Sequence, residues 1–335
     1  MRILLCSYAF APSLGGIETV SRILADEFRR RGSTVTVATY TPGPPDEAGH
    51  EVLRRPSFSK LYGLARQADI AFQNNISLQM LPPLFAARRP VVVSHHTWIR
   101  RTDGKRGWQD HVKRAVLPAV RNITISRAMA ADLPVESTII GDPFEAGEFR
   151  DLGSAMRTKD IVFMGRLVSD KGCDVALRSL AIVKAEGMRP SFTVIGDGPE
   201  APALKKLAAE LGLSEQVRFL GAIREGRGRE VAQHKVMVVP SIWAEPFGVV
   251  ALEGLAAGCV VVASAGGGLP DAVGPCGLLF PNGDAEALAE SLKNLLADQA
   301  QRERLLAERP HHLAQFQPEA VAKRYLEVFE AAMRG

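Results

Sequence analysis

The sequence predicts an α/β protein of two facing domains, each a doubly wound and mainly parallel sheet, with a cleft between them. Three observations carry that expectation. Short β-branched runs alternate with helix-length segments along nearly the whole chain, as strands buried on both faces should. The alternation lapses once, from Gly141 to Lys159, where Gly141, Asp142, Pro143, Gly147 and Gly153 mark an interdomain linker, and then restarts. Finally, 335 residues with 46% apolar content suffice for two cores.

In chain order, Ile3 to Cys6 is a strand, a loop ends in Gly15 and Gly16, and a helix follows from about Ile17 to Arg31. Further strands are expected at Val35 to Thr39, Ile70 to Phe72, Val91 to Ser94 and Ile123 to Ile125. Tyr40 to Pro56, rich in Pro and Gly, reads as loop with one short strand near Glu51 to Leu53. The second half repeats the pattern: strand Ile161 to Met164, helix Cys173 to Glu186, strand Phe192 to Ile195, helix Ala201 to Leu211 and strand Val217 to Phe219. Strands Val236 to Val239 and Val260 to Ala263 then bracket one more helix. Glu319 to Met333 closes the chain as an amphipathic helix. This is Rossmann-like twice over, with domains at residues 1–150 and 158–317.

Composition narrows the class. No apolar run approaches the roughly 20 residues that span a bilayer, and Met1 to Phe10 is too short and strand-like for a secretory signal, so a cytoplasmic protein is expected. Cys6, Cys173, Cys259 and Cys276 lack metal-ligand spacing and read as buried thiols. The net charge of +4 is small, and no base-reading module is visible, so nucleic acid is not an expected partner. No G-x-G-x-x-G follows a strand and no P-loop occurs, which disfavours a nicotinamide dehydrogenase.

Ligands of such sheets bind beyond the carboxyl ends of the strands, and the distinctive residues lie there. Glu245 and Glu253 stand eight positions apart between two strands. Pro246 suits the first helical position, which would leave the amides of Phe247, Gly248 and Val249 free as a phosphate seat, with Glu253 two turns further in. A carboxylate alone on an apolar helix either points to solvent or is met by hydroxyl donors such as a sugar or ribose diol. Gly165-Arg166-Leu167 and Lys171-Gly172 put two cations on one loop, either a diphosphate clamp or a solvated turn. Gly196-Asp197-Gly198 is a turn signal that also lets backbone approach a nucleobase or ribose. Of His95 and His96, adjacent strand residues, only one can face a ligand, and His96 is favoured, although both can simply be packed. No Asp-x-Asp occurs, which argues against a metal-bridged diphosphate. From Trp98 to Arg114, aromatic and basic residues mix, Arg100 and Arg101 among them. That stretch reads equally as a contact for anionic headgroups or a phosphorylated acceptor, and as a solvated basic helix.

With these residues in view, the chain resembles the retaining glycosyltransferases of family 4, which share the GT-B architecture. The resemblance rests on Gly15-Gly16-Ile17-Glu18, Gly165-Arg166-Leu167 with Lys171-Gly172, Gly196-Asp197-Gly198-Pro199, and the E-x7-E pattern of Glu245 and Glu253 around Pro246-Phe247-Gly248. It implies a hexosyltransferase of polysaccharide biosynthesis that uses a UDP-, GDP- or ADP-sugar, retains anomeric configuration, and needs neither cofactor nor metal. The leaving phosphate itself would take the acceptor proton. By the same resemblance, Arg166 and Lys171 hold the diphosphate, Glu245 meets the donor sugar and Glu253 the ribose. The amides from Phe247 to Val249 contact sugar and phosphate, with Gly165, Gly196, Asp197 and Gly198 around the nucleotide. His96 matches the family's histidine after the fourth strand, and Gly16 lies where the first loop meets diphosphate and acceptor. The first domain, to which the helix within 318–333 crosses back, would take a glycan or lipid-linked acceptor, with Gly15, His95, Arg100 and Arg101 as its candidate contacts. Peripheral contact with the cytoplasmic face of an anionic membrane is part of that expectation. Thr97, where an Asp or Ser is common, departs from the pattern. Other GT-B enzymes, an epimerase or a phosphorylase, and a non-catalytic nucleotide-sugar-binding protein are the alternatives.

Overall fold

The computed structural model describes every residue except Leu14, Ala48, Thr102, Asp103 and Gly335. The chain divides into two compact units, Met1–Pro143 together with the chain from Pro318 onward, and Phe144–Gln317. Each is a mainly parallel α/β sheet wrapped by helices, so the expectation of two doubly wound sheets holds.

The first unit contains β1 (Arg2–Ser7), β2 (Thr34–Thr39), β3 (Asp46–Glu47), β4 (His50–Arg54), β5 (Ile70–Asn74), β6 (Val91–His95), β7 (Arg121–Thr124) and β8 (Thr138–Ile139). Their order is β3-β4-β2-β1-β5-β6-β7-β8, and only β3 runs antiparallel to its neighbour. In β1 the pleat decides which helices cover which face. Ile3 and Leu5 join Val20, Leu24, Phe28, Tyr325 and Phe329 on one side, while Leu4 and Cys6 join Leu61, Ala65, Leu81 and Leu84 on the other. The helix Gly16–Arg30 and the closing helix Pro318–Arg334 therefore share one face. Tyr325 anchors the closing helix, with its hydroxyl 2.7 Å from Ser94 Oγ.

The second unit contains β9 (Lys159–Met164), β10 (Phe192–Ile195), β11 (Val217–Gly221), β12 (His234–Val239), β13 (Val260–Ser264) and β14 (Gly277–Phe280), in the order β11-β10-β9-β12-β13-β14. All pairs are parallel. The chain winds outward from β9 to one edge, returns to β12 and winds to the other, so the order reverses between β9 and β12.

Two local expectations need correction. The stretch expected to be linker is largely packed structure from Phe144 onward, because Phe144 and Phe149 are buried and Glu145 pairs with Arg227 at 2.8 Å. The strand near Glu51 exists, pairs in parallel with β2 and brings β3 with it, whereas Ile125 lies beyond β7. Turn-forming residues hid β3 from the sequence, though not β4.

Candidate functional site

In the second unit the loops after β9, β10, β12 and β13 lock together through their backbones. A Cβ on Gly196 would lie 1.8 Å from Gly165 O, one on Gly198 2.3 Å from Leu167 O, and one on Gly172 1.9 Å from Pro240 O. These contacts require glycine. Hydrogen bonds follow the same seams: Leu167 N donates to Asp197 O at 2.9 Å, and Ile242 N donates to Asp170 O at 3.0 Å. Gly268 N donates to Glu245 O at 2.7 Å, and Asn282 Nδ2 ties the Ser241 and Ile242 carbonyls at 3.2 and 3.1 Å. Asp197 turns its own carboxylate onto Gly198 N at 2.8 Å. The glycines at 196 and 198 thus have a packing reason of their own.

That framework brings together two residues 74 positions apart. Lys171 Nζ lies 2.5 Å from Glu245 Oε1, which also accepts from Ser241 Oγ at 2.7 Å. Lys171 ends the loop after β9 and Glu245 follows β12, so the pair bridges the point where the strand order reverses. Open doubly wound sheets bind ligands at that crevice. Arg166, on the same loop as Lys171, is exposed, and among the described residues its guanidinium makes no ion pair. Sequence reasoning did not single out Ser241 or Asn282, whose part depends on contacts 4 and 40 or more positions away.

The helix after Glu245 starts later than expected. It runs Val249–Ala256 with Gly248 as its N-cap in the left-handed region at φ 101°. Pro246 is therefore not its first residue, and of the three expected amides only that of Val249 belongs to the helix. Phe247 is buried against Phe316, with ring centroids 5.5 Å apart, and Glu245 instead bridges to Gly267 as an isolated strand pair. Extended pairing of Glu245 keeps the chain out of the helix until Gly248 can turn it. Glu253 then sits in the second turn, not two turns beyond it. Among the described residues its carboxyl makes no hydrogen bond or ion pair, and burial pushes it up to about 7 against the opposing pull of Arg227. Glu145 and Glu148 nearby add to the rise. Such a carboxyl accepts hydroxyl donors at little cost in desolvation, since that cost is already met.

In the first unit, Gly15 is extended and caps the helix that Gly16 begins, and the space where a Gly16 side chain would stand is open. His95 needs a correction as an acceptor contact. It is fully buried, bonded through Nε2 to Asn122 Oδ1 at 3.0 Å, and burial depresses it to about 4, so it is a neutral core residue. The next residue, His96, is also buried, its Nδ1 3.0 Å from Asp142 Oδ1 but out of hydrogen-bond alignment, and among the described residues its Nε2 has no hydrogen-bond partner. Arg100 is likewise turned inward. With Arg106 and Arg114 it converges on Asp132, at 3.3, 3.7 and 3.0 Å, and its guanidinium stacks 4.5 Å from the Trp98 ring. Three cations of the basic stretch thus share one carboxylate from outside it, while Arg101 stays exposed; Thr102 and Asp103 within it lie outside the described residues. Sequence periodicity missed a second feature, a cavity of about 550 Å³ beside the end of β5.

Among the described residues no three His, Cys, Asp or Glu gather as a metal site would require. No described helix is long and apolar enough to cross a membrane.

Two family models match the chain: "Glycosyl transferases group 1" over residues 145–310 and "Glycosyltransferase Family 4" over residues 14–135. A curated relative from Corynebacterium urealyticum, D-inositol 3-phosphate glycosyltransferase, is 36% identical over 191 residues, 54% of this chain and 45% of the relative. The chain thus spans about half the length of the curated relatives it matches. Among solved structures, Anabaena Alr3699/HepE in complex with UDP and glucose superposes with a TM-score of 0.82 at 19% identity, covering 98% of this chain and 99% of that one. A glycosyltransferase from Rickettsia africae gives 0.83 at 16% identity, over 100% and 99%.

Proposed function

Because the chain belongs to glycosyltransferase family 4, with the GT-B fold, we propose that it moves a sugar from a nucleoside diphosphate sugar to an acceptor hydroxyl, with retention and without a metal. The observation that carries this is the Lys171–Glu245 pair at the strand-order reversal of the second unit, with the exposed Arg166 on the same loop. The printed name of the Corynebacterium urealyticum relative, a glycosyltransferase, supports it, and the Anabaena protein was solved with UDP and glucose.

In the proposed reaction the bond from the sugar's anomeric carbon to the diphosphate breaks, and a bond to the acceptor oxygen forms on the same face. The acceptor proton passes to the leaving phosphate. Lys171 and Arg166 neutralise the charge that grows on the diphosphate, one as a compact point charge and the other as a planar fork. Glu245, oriented by Lys171 and Ser241, accepts from the sugar hydroxyls, and Glu253 takes the ribose diol with its unpartnered carboxyl. In the first unit, His96 is proposed to take part through its Nε2, which is buried and has no hydrogen-bond partner among the described residues. The acceptor is proposed to be a glycan or lipid-linked sugar.

Turnover of UDP-, GDP- and ADP-sugars, measured as release of the nucleoside diphosphate with and without acceptor, tests this. Lys171→Ala is expected to lower the rate about 10²- to 10³-fold, the usual loss when one preorganised charge is removed, and excess EDTA is expected to leave it unchanged. A protein that binds no nucleoside diphosphate by calorimetry sinks the reading, and dependence on added metal removes its metal-free part.

A further inference from the structure

The cavity of about 550 Å³ in the first unit lies where that sheet's strand order also reverses, between β1 and β5. Tyr8 follows β1, Asn74 ends β5, Asn75 and Gln79 follow it, and Trp108 opens the helix Trp108–Val116. Two of its walls are aromatic rings left in solvent, Trp108 at 72% exposure and Tyr8 at 58%. Single exposed aromatics are ordinary, but two lining one concavity with carboxamides between them match the makeup of a ligand pocket.

The polar groups there are neutral. Among the described lining, Lys113 is the one charged residue and there is no carboxylate. No arginine fork, the usual holder of phosphate, is among the described lining, and Arg100, Arg106 and Arg114 converge on Asp132. Asn74 is fully buried, and its Nδ2 is committed to Ser21 Oγ at 2.5 Å, which fixes the amide and leaves Oδ1 buried without a partner. An acceptor oxygen of that kind is satisfied by a hydroxyl and repelled by an anion. Asn75 stands at φ 66°, where non-glycine residues are uncommon, and Thr97 Oγ1 positions its carboxamide, lying 2.9 Å from Nδ2 and 3.3 Å from Oδ1.

We propose that this cavity takes an uncharged sugar ring of the acceptor, stacked by its C–H face on Trp108, with its hydroxyls on the Asn74 and Asn75 carboxamides. The inference rests on the transfer reaction proposed above for the role of that sugar, and it differs from the phosphorylated polyol in the name of the curated relatives. A pyranose ring has one face of C–H groups and a rim of hydroxyls, which is the division of apolar wall and amide rim that the cavity offers.

Saturation-transfer NMR tests it on the full chain, in the presence of UDP, GDP or ADP, with methyl glucopyranosides, methyl mannopyranosides and methyl galactopyranosides set against inositol 3-phosphate. The expected result is saturation of glycoside ring protons, weakened about tenfold in affinity by Trp108→Ala and largely restored in Trp108→Phe, with thermal melts confirming that both variants fold. Preference for inositol 3-phosphate, especially if lost in Lys113→Ala, overturns the neutral-sugar assignment. So does glycoside binding that Trp108→Ala leaves intact, or the absence of glycoside binding. Donor turnover is read separately: glycoside binding by a protein that never cleaves a donor upholds this inference and overturns the reaction.

Discussion

Glu253 and His95 are both polar residues withdrawn from water, His95 fully and Glu253 in large part among charged neighbours, yet their surroundings leave them in different states. His95 has Asn122 to bond and a low proton affinity, so it stays neutral across ordinary pH and contributes packing. Glu253 has no hydrogen bond or ion pair among the described residues, and the cost of burying its charge appears as a carboxyl that keeps its proton up to about 7 where an ordinary one releases it near 4.5. The folded chain therefore binds more protons than the unfolded chain between those values, and stability falls as pH rises through that window and levels off above it. Glu253→Gln removes this slope. The variant is expected to match the wild type near pH 4 and to exceed it at pH 8 by on the order of 1–3 kcal/mol, read from denaturant unfolding at the two pH values. Parallel pH profiles of the two proteins would show that Glu253 is ionised and solvated instead. The same substitution is expected to weaken nucleoside diphosphate binding, because a neutral amide is a poorer acceptor for a diol.

At the scale of elements, the loops after β9 and β10 act as one piece. Gly196 is held at φ 144° with no room for a side chain, since the seat of a Cβ is occupied by Gly165 O. Gly196→Ala must push the two loops apart, and it is expected to cost about 2–4 kcal/mol by urea unfolding. Because Arg166 and Lys171 ride on the displaced loop, nucleoside diphosphate affinity is expected to drop as well. Unchanged stability would mean that the loops part without penalty. The short helix Val249–Ala256 shows a related effect. Pro246 is a sound helix-start signal taken alone, but the bridge from Glu245 to Gly267 extends the backbone there, and the left-handed Gly248 then sets the true start.

At the scale of the whole molecule, the chain leaves the first unit at Pro143 and returns to it at Pro318. The return is fastened by Tyr325 and Phe329 in a ring cluster with Phe28 and Phe72, with centroid separations of 5.2 to 6.3 Å. Phe329→Ala is expected to cost about 3–5 kcal/mol, and peptide-resolved hydrogen exchange should then quicken in β1 and β5, which lie under the cluster. Exchange unchanged in those strands would show that the closing helix is dispensable to that core. The sequence alone determined the alternation of strand and helix and the position of Glu245, Lys171, Arg166 and His96 just after strands, because buried strands and turn residues leave local, periodic signals. It did not reveal that β12 returns beside β9, and so could not bring Lys171 to Glu245. Nor did it show that Arg100 folds back on Asp132, that His95 is core, or that Asn74 and Trp108 share a cavity. Those facts depend on which strands become neighbours, and neighbours are chosen by the packing of whole elements, so only the tertiary structure decided them.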